Sequence, residues 1–435
     1  MKRIALQRLI AWKNKENRKP MIINGARQVG KTWLMEEFGK HHYKELLNIN
    51  FERNSRISNL FETDLDPHRL LLGLELEFGR KIDALNTLII FDEIQAQPKA
   101  ITSLKYFYEE MPQYNIIAAG SLLGVTLHSG VSFPVGKVDS MELYPLNFME
   151  FLLAKGEERL VNQIEENNIE IINVFKGKLL DYLKQYMYTG GMPEVVRAFV
   201  KNQDFQEVRA IQNQILDDYH KDFSKHIPKN TLPKVLAVWD AIPAQLSKEN
   251  KKFIYNQVAE KSRAKDYEDA IAWLNDTGLI HKIKRLKKPN LPITGYVEDN
   301  IFKLFMLDVG LLSAKSKLDS RILLEGDALF TEFKGSIAEQ YVMQELTTIN
   351  DIELSYWGND SGVAEVDFVL QCNSQVIPVE VKSGTNLKAK SLKIYMDKYN
   401  PKYAVRTSQA DYKKTENLYD IPLFMIENIK KFCAE

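Results

Sequence analysis

The chain has 435 residues, 45% of them apolar, which is too long for one ordinary domain and ample for more than one core. Lys plus Arg and Asp plus Glu each number 58, so no overall field draws the protein to nucleic acid or an anionic membrane, and such a contact must come from a local patch. Its two cysteines, Cys372 and Cys433, lie far apart without metal-type spacing, which argues against a zinc site or a disulfide scaffold and for a reducing cytosol.

The opening stretch "MKRIALQRLIAWKNKENRKP" lacks the apolar core of a signal peptide, and no apolar run is long enough to cross a bilayer, so a cytoplasmic protein without a membrane partner is expected. The first third alternates short apolar strands ("MIING", "ELLNIN", "TLIIFDE", "NIIAAGS") with amphipathic helices, the pattern of a parallel sheet wound with crossover helices. "GARQVGKT" follows the first strand and opens a helix, which is the setting a phosphate loop requires. There Gly25, Ala26, Arg27, Gln28, Val29 and Gly30 would curl backbone N–H groups around phosphates. Lys31 would supply a point charge, and the Thr32 hydroxyl would ligate magnesium.

The strand "TLIIFDE" ends in Asp92, placed to hold a magnesium water shell, and Glu93, placed to orient or deprotonate an attacking water. ATP and Mg2+ are therefore the expected cofactors. Ser121 closes "NIIAAGS" as a candidate contact to the terminal phosphate, though Gly120 and Ser121 also suit a plain turn. Lys137 stands where a ring-forming ATPase often places an arginine finger, and a surface lysine is the competing reading.

From about residue 146 to 230 the strands give way to helices, expected as a lid. Within it "TGGMPEVV" reads as a helix stop followed by a proline-initiated helix. Residues 231 to 325 combine three short helices, among them "YNQVAEKS", with the ribbon "LIHKIKRLKKPNLPITGY" and "IFKLFMLDVGLL", which predicts a winged helix. Its Lys282, Lys284, Arg285, Lys287 and Lys288 either neutralise nucleic-acid phosphates or guard an edge strand against pairing.

From 326 onward a helix with Glu339 precedes strands "ELSYWG", "EVDFVLQ" and "VIPVEVKS", a helix "KAKSLKIYMDKY", and strands "KYAVRT" and "PLFMI". Asp367 and Glu380 lie thirteen apart, and Lys382 shares a strand face with Glu380. The order helix with Glu, strand with Asp, strand with Glu-x-Lys is that of the PD-(D/E)xK nuclease core. In that chemistry Asp367 and Glu380, with Glu339, would hold magnesium beside a phosphodiester, while Lys382 orients water. An amphipathic strand pair with a solvated Glu–Lys contact would carry the same residues.

Taken together, "NGARQVGKTWLM", "LIIFDEIQ", "AAGSLLG", "FPVGKVDSMELYPLNFMEF", "TGGMPEVV" and "LLDVGLL" resemble a large prokaryotic family of AAA-type P-loop ATPases. The carboxyl-terminal domain of that family is of unknown function and PD-(D/E)xK nuclease-like. The resemblance spans nearly the whole chain and implies ATP binding; an arginine is common in that family where Lys137 stands here. The expected α/β architecture is an ATPase core at 1–145, a helical lid at 146–230, a winged helix at 231–325 and a restriction-endonuclease-like domain at 326–435. The expected function is ATP hydrolysis coupled to a nuclease-like domain acting on DNA or RNA. The alternative is a non-cutting ATP switch that binds a partner protein; neither reading sets the oligomeric state.

Overall fold

A computed structural model describes residues 1–121, 133–248, 251–258, 263–320, 331–359 and 362–434. Leu122–Gly124 of the "AAGSLLG" segment, the last four residues of "YNQVAEKS" and the expected boundary at 325/326 lie outside these residues. The chain divides into two compact units, the first of residues 2–144 with 276–278 and the second of 145–275 with 279–435.

The first unit is built on strands β1 (Met21–Asn24), β2 (Glu45–Asn50), β3 (Thr87–Asp92), β4 (Asn115–Ala119) and β5 (Asp139–Glu142). All pair in parallel in the order β2-β3-β4-β1-β5. Every residue of β3 and β4 is buried, as expected where a parallel sheet is covered on both faces. Among the described residues its α-helices are α1 (Ala5–Lys13), α2 (Lys31–His42), α3 (Ser55–Thr63), α4 (Pro67–Phe78) and α5 (Pro98–Glu110). Helix α4 shows why the boundaries fall where they do: Asp66 caps its first turn, Pro67 occupies the first helical position, and Gly79 ends it at φ 67°. The core includes Phe51, Phe61 and Phe91, whose rings meet edge to face at 5.3 to 5.8 Å.

The second unit begins with helices α6 (Phe148–Ala154), α7 (Glu158–Glu166), α8 (Ile169–Thr189), α9 (Pro193–Asn202) and α10 (Phe205–His226). Helices α11 (Leu232–Leu246), α12 (Glu268–Asp276) and α13 (Val309–Lys315) follow, then α14 (Thr331–Thr347), α15 (Lys390–Tyr399) and α16 (Lys430–Ala434). Its strands are β6 (Ile280–Leu286), β7 (Val297–Met306), β8 (Ile352–Gly358), β9 (Glu365–Cys372), β10 (Gln375–Val381), β11 (Ala404–Ser408), β12 (Lys413–Thr415) and β13 (Leu418–Pro422). They form one eight-stranded sheet in the order β12-β13-β11-β10-β9-β8-β6-β7.

Three expectations change here. The ribbon predicted as a wing is a true antiparallel hairpin, β6–β7, but it continues the carboxyl-terminal sheet, because β6 pairs in parallel with β8 through Arg285↔Tyr356 and Leu286↔Trp357. The run "PLFMI" is not a strand. Strand β13 ends at Pro422, and residues Leu423–Ile429 form a 3-10 helix buried throughout, so their unbroken apolar character carries no strand period. Finally, Cys372 at the end of β9 and Cys433 in α16 form a disulfide, their Cα atoms 5.3 Å apart across a sequence separation of 61. The fold brings together what the spacing kept apart, and the cysteine count no longer speaks for a reducing compartment.

Candidate functional sites

In the first unit the register places Asp92, Ala119 and Ile23 in one row at the carboxyl ends of β3, β4 and β1. The phosphate-loop segment therefore leaves β1 on one side of β4 while Asp92 and Glu93 leave β3 on the other, and Ser121 follows β4 between them. The loop needs its glycines. Gly25 has φ +135°, and a Cβ there would lie 2.3 Å from the Leu143 carbonyl oxygen; Gly30 turns the chain into α2 at φ 93°. Buried Arg3 braces the loop, donating to the carbonyls of Val29 at 3.0 Å and Tyr144 at 2.7 Å.

Lys31 is buried, and its ammonium donates to the carbonyls of Gly25 at 2.7 Å and Ala26 at 2.8 Å. Burial pushes its pKa down to about 8, against the opposing pull of Glu93, Asp92 and Glu142. The Thr32 hydroxyl lies 3.2 and 3.1 Å from the two Asp92 oxygens, and the Asn50 amide reaches Asp92 at 3.4 Å. Burial, then the adjoining Glu93 charge, raises the Asp92 pKa above its ordinary range. Glu93 sits in the left-handed region at φ 50° and accepts from the Gln95 amide at 2.6 Å. Lys137 pairs with Glu109 at 3.0 Å and lies over the Tyr108 ring at 5.6 Å, both within its own unit.

In the second unit Glu339 on α14, Asp367 on β9 and Glu380 on β10 come together with Lys382. The Lys382 ammonium meets Glu380 Oε1 at 2.7 Å, and Asp367 Oδ2 accepts the Val381 N–H at 2.7 Å. Two further lysines enter the cluster. Lys251 donates to Glu339 Oε1, while Lys303 on β7 lies 2.5 Å from Glu365 and 3.9 Å from Glu339 Oε2. Lys303 is fully buried; burial alone would lower its pKa, but Glu365, Glu339 and Asp367 outweigh it and hold the ammonium charged.

Burial and then the charges of Glu339 and Glu380 push Asp367 well above the carboxylate range. Burial likewise raises Glu380, with Lys382 opposing. Among the described residues no three His, Cys, Asp or Glu side chains form a ready metal cage, and ammonium groups engage these acids. Two carboxylate oxygens, Glu339 Oε2 and Glu380 Oε2, are nonetheless buried without a hydrogen-bond partner.

The hairpin cations are largely engaged. Lys282 lies over Phe302 at 4.3 Å, Lys284 pairs with Asp299 at 2.6 Å and Arg285 with Glu298 at 2.6 Å, while Lys287 and Lys288 are exposed.

Residues 17–152 match the family described as AAA domain. That stretch, which holds the phosphate-loop segment, Asp92 and Glu93, is AAA-type. Residues 180–321 match a domain of unknown function (DUF8612), and residues 334–426 match another (DUF4143). Nothing among curated proteins matches the chain. Among solved structures it is similar to the Walker-type ATPase PABY2304 of Pyrococcus abyssi, at 15% identity over 72% of this chain and 95% of that one, with a TM-score of 0.46. It is also similar to the Aeropyrum pernix ORC1 protein solved in complex with DNA, at 12% identity over 72% and 91% of the two chains with a TM-score of 0.30. AMPPCP-bound DnaA from Aquifex aeolicus aligns at 15% identity over 62% and 85%, with a TM-score of 0.28. No helix among the described residues is long and apolar enough to cross a membrane.

Sequence reasoning did not single out several residues of these sites. In the first unit these are Arg3, Asn50 and Glu142, which lie remote from the loop along the chain and become its neighbours only through the fold. In the second unit they are Lys251, Lys303 and Glu365. Lys303 left one trace, a lone charge inside the apolar run "IFKLFM".

Proposed function

We propose that the protein is a magnesium-dependent ATPase whose nucleotide state governs a PD-(D/E)xK nuclease-like domain acting on nucleic acid. The observation that carries the ATPase half is the convergence of Lys31, Thr32 and Asp92 at the carboxyl edge of the parallel sheet. Thr32 and Asp92 are the residues that would hold a magnesium ion, which would neutralise phosphate charge. Lys31 exchanges its two loop carbonyls for phosphate oxygens, regaining full charge in doing so. The N–H groups from Gly25 to Gly30 cradle the phosphates. Glu93 orients the attacking water and takes its proton, and Ser121 supports the terminal phosphate.

Support for the nuclease-like half is the gathering of Glu339, Asp367, Glu380 and Lys382. The three acids would hold the divalent ion, and Lys382 would orient the attacking water. Exposed Lys287 and Lys288 would add phosphate contacts. ATPase and nuclease assays run together on wild type, Lys31→Ala and Asp367→Ala test both halves. ATP turnover that survives Lys31→Ala sinks the first half. Single-stranded, duplex and branched DNA and RNA all left intact with magnesium or manganese sinks the second.

A non-cutting nucleotide switch is the second reading, favoured by the ion pairs that Lys251 and Lys303 make with the cluster acids. Binding measured across a salt series separates the two, because phosphate contacts weaken steeply with salt and an apolar protein interface does not.

A further inference from the structure

We infer that the Lys251 ammonium occupies the cation position of the carboxyl-terminal acid cluster and holds it closed against a divalent ion. The inference rests on the reading of Glu339, Asp367 and Glu380 as metal-binding acids.

Glu339 and Glu380 are 7% and 5% exposed. Each has one oxygen taken by a lysine, Lys251 for Glu339 and Lys382 for Glu380; the second Glu339 oxygen faces the Lys303 ammonium at 3.9 Å, and the second Glu380 oxygen is buried with no hydrogen-bond partner in the protein. Buried carboxylates gathered this closely require cationic charge beside them, and Lys251, Lys303 and Lys382 supply it. An ammonium is a monovalent donor of three hydrogen bonds; a divalent ion takes six or more oxygen ligands and carries twice the charge. The cluster thus holds more acceptor capacity than Lys251 uses.

Position distinguishes Lys251 from the other two lysines. Lys303 is sealed within β7 and Lys382 directly follows β10, so neither leaves without disturbing the sheet. Lys251 lies on the connection after α11, outside any strand. That connection is tied down by the Phe253 N–H to the Phe302 carbonyl at 2.8 Å and by the stacked rings of the same pair at 5.6 Å. Its withdrawal costs one ion pair and leaves the strand register untouched.

The test is Mn2+ binding to the nucleotide-free full-length protein, followed by electron paramagnetic resonance, for wild type, Lys251→Gln and Lys251→Arg, each with and without Asp367→Asn. The Asp367-dependent ion is the one counted, which sets aside any ion at the phosphate loop. Lys251→Gln is expected to bind it at least tenfold more tightly than wild type, and Lys251→Arg to exclude it as wild type does. Equal Asp367-dependent affinity in wild type and Lys251→Gln overturns the inference while leaving the metal reading standing. If folded Lys251→Gln, verified by circular dichroism, binds no such ion at millimolar Mn2+, the metal reading itself falls. Wild type supplies an independent check: an Asp367-dependent rise in its melting temperature on adding Mn2+ also overturns the inference.

Discussion

The backbone N–H of Gly191 donates to the buried Asp308 carboxylate at 2.6 Å, joining two segments 117 residues apart. A Cβ on neighbouring Gly190 would lie 2.1 Å from Asp308 Oδ1, and one on Gly310 would lie 2.3 Å from the Thr189 carbonyl oxygen. "TGGMPEVV" and "LLDVGLL" are thus two halves of one lock, to which Gln344 on α14 adds a bond to Asp308 at 3.3 Å. Asp308→Ala strips the acceptor from the N–H groups of Gly191 and Leu311, and the variant should lose about 2–4 kcal/mol of stability in urea melts. A loss under about 0.5 kcal/mol would show the lock to be unimportant.

The same carboxyl sets a pH dependence. Burial raises its pKa from 3.8 to about 6, against the lowering effect of the N–H groups of Gly191 and Leu311. The folded state therefore holds the proton more tightly than the unfolded chain. This contribution to stability is fully present below pH 4 and is lost as pH rises through 6, amounting to about 3 kcal/mol. Asp308→Asn cannot titrate, so the stability difference between wild type and this variant should shift by that order between pH 4 and 7. A difference that stays flat over that range contradicts the assignment.

Lys31 makes a prediction about nucleotide. With its pKa near 8 in the free protein, the ammonium is part deprotonated at pH 8.5, and phosphate charge should restore it. ATP binding at that pH should take up a fraction of a proton, read by calorimetry in buffers of different ionisation heat. Lys31→Met should abolish the uptake along with most of the affinity.

Glu93 separates binding from turnover. Glu93→Gln keeps size and hydrogen bonding but removes the base, so turnover should fall about a hundredfold or more while ATP affinity stays within a few fold. An unchanged rate would remove Glu93 from the chemistry.

Lys303 supplies charge to two acids from a fully buried position. Lys303→Met leaves them without it and should destabilise by about 3–5 kcal/mol at pH 7. The Lys303 ammonium stays charged well above neutral, whereas Glu339, held down by Lys251 and Lys303 against burial, contributes above its unfolded pKa and loses that contribution on acidification. The defect should therefore shrink as pH falls towards 4. A defect that grows on acidification would refute this account.

The Cys372–Cys433 bond closes a loop whose ends are 61 residues apart, and reduction should lower stability by up to about 4 kcal/mol in the chain-entropy account. Melts with and without dithiothreitol, repeated on Cys433→Ser, measure it; the reductant should leave the variant unaffected.

The parallel strands of the first unit were readable because a strand covered on both faces is a continuous apolar run with turn residues at its ends, as in "TLIIFDE". Strand β5, the four residues "DSME", carries no such signal: it lies at the sheet edge with one buried side chain, Met141, and only pairing with β1 makes it a strand. "PLFMI" failed for the opposite reason, since uniform burial erases the alternation that separates a strand from a tight helix. The acids of the second site showed themselves through the Glu-x-Lys spacing. Lys251, far away in sequence, could not, because strand order and chain reversal place it there rather than local pattern.

The shared sheet of β6, β7 and the carboxyl-terminal strands has a practical outcome for anyone dividing this chain. A fragment starting at residue 326 would shed the hairpin, leaving part of β8 as a raw edge with unpaired backbone groups at Tyr356 and Trp357. It would also lose the Lys303 ammonium from beneath its acids. Such a piece should self-associate through that edge, and inactivity measured on it would say nothing about the intact protein. Cutting ahead of α11 instead, near residue 230, retains the hairpin and both lysines.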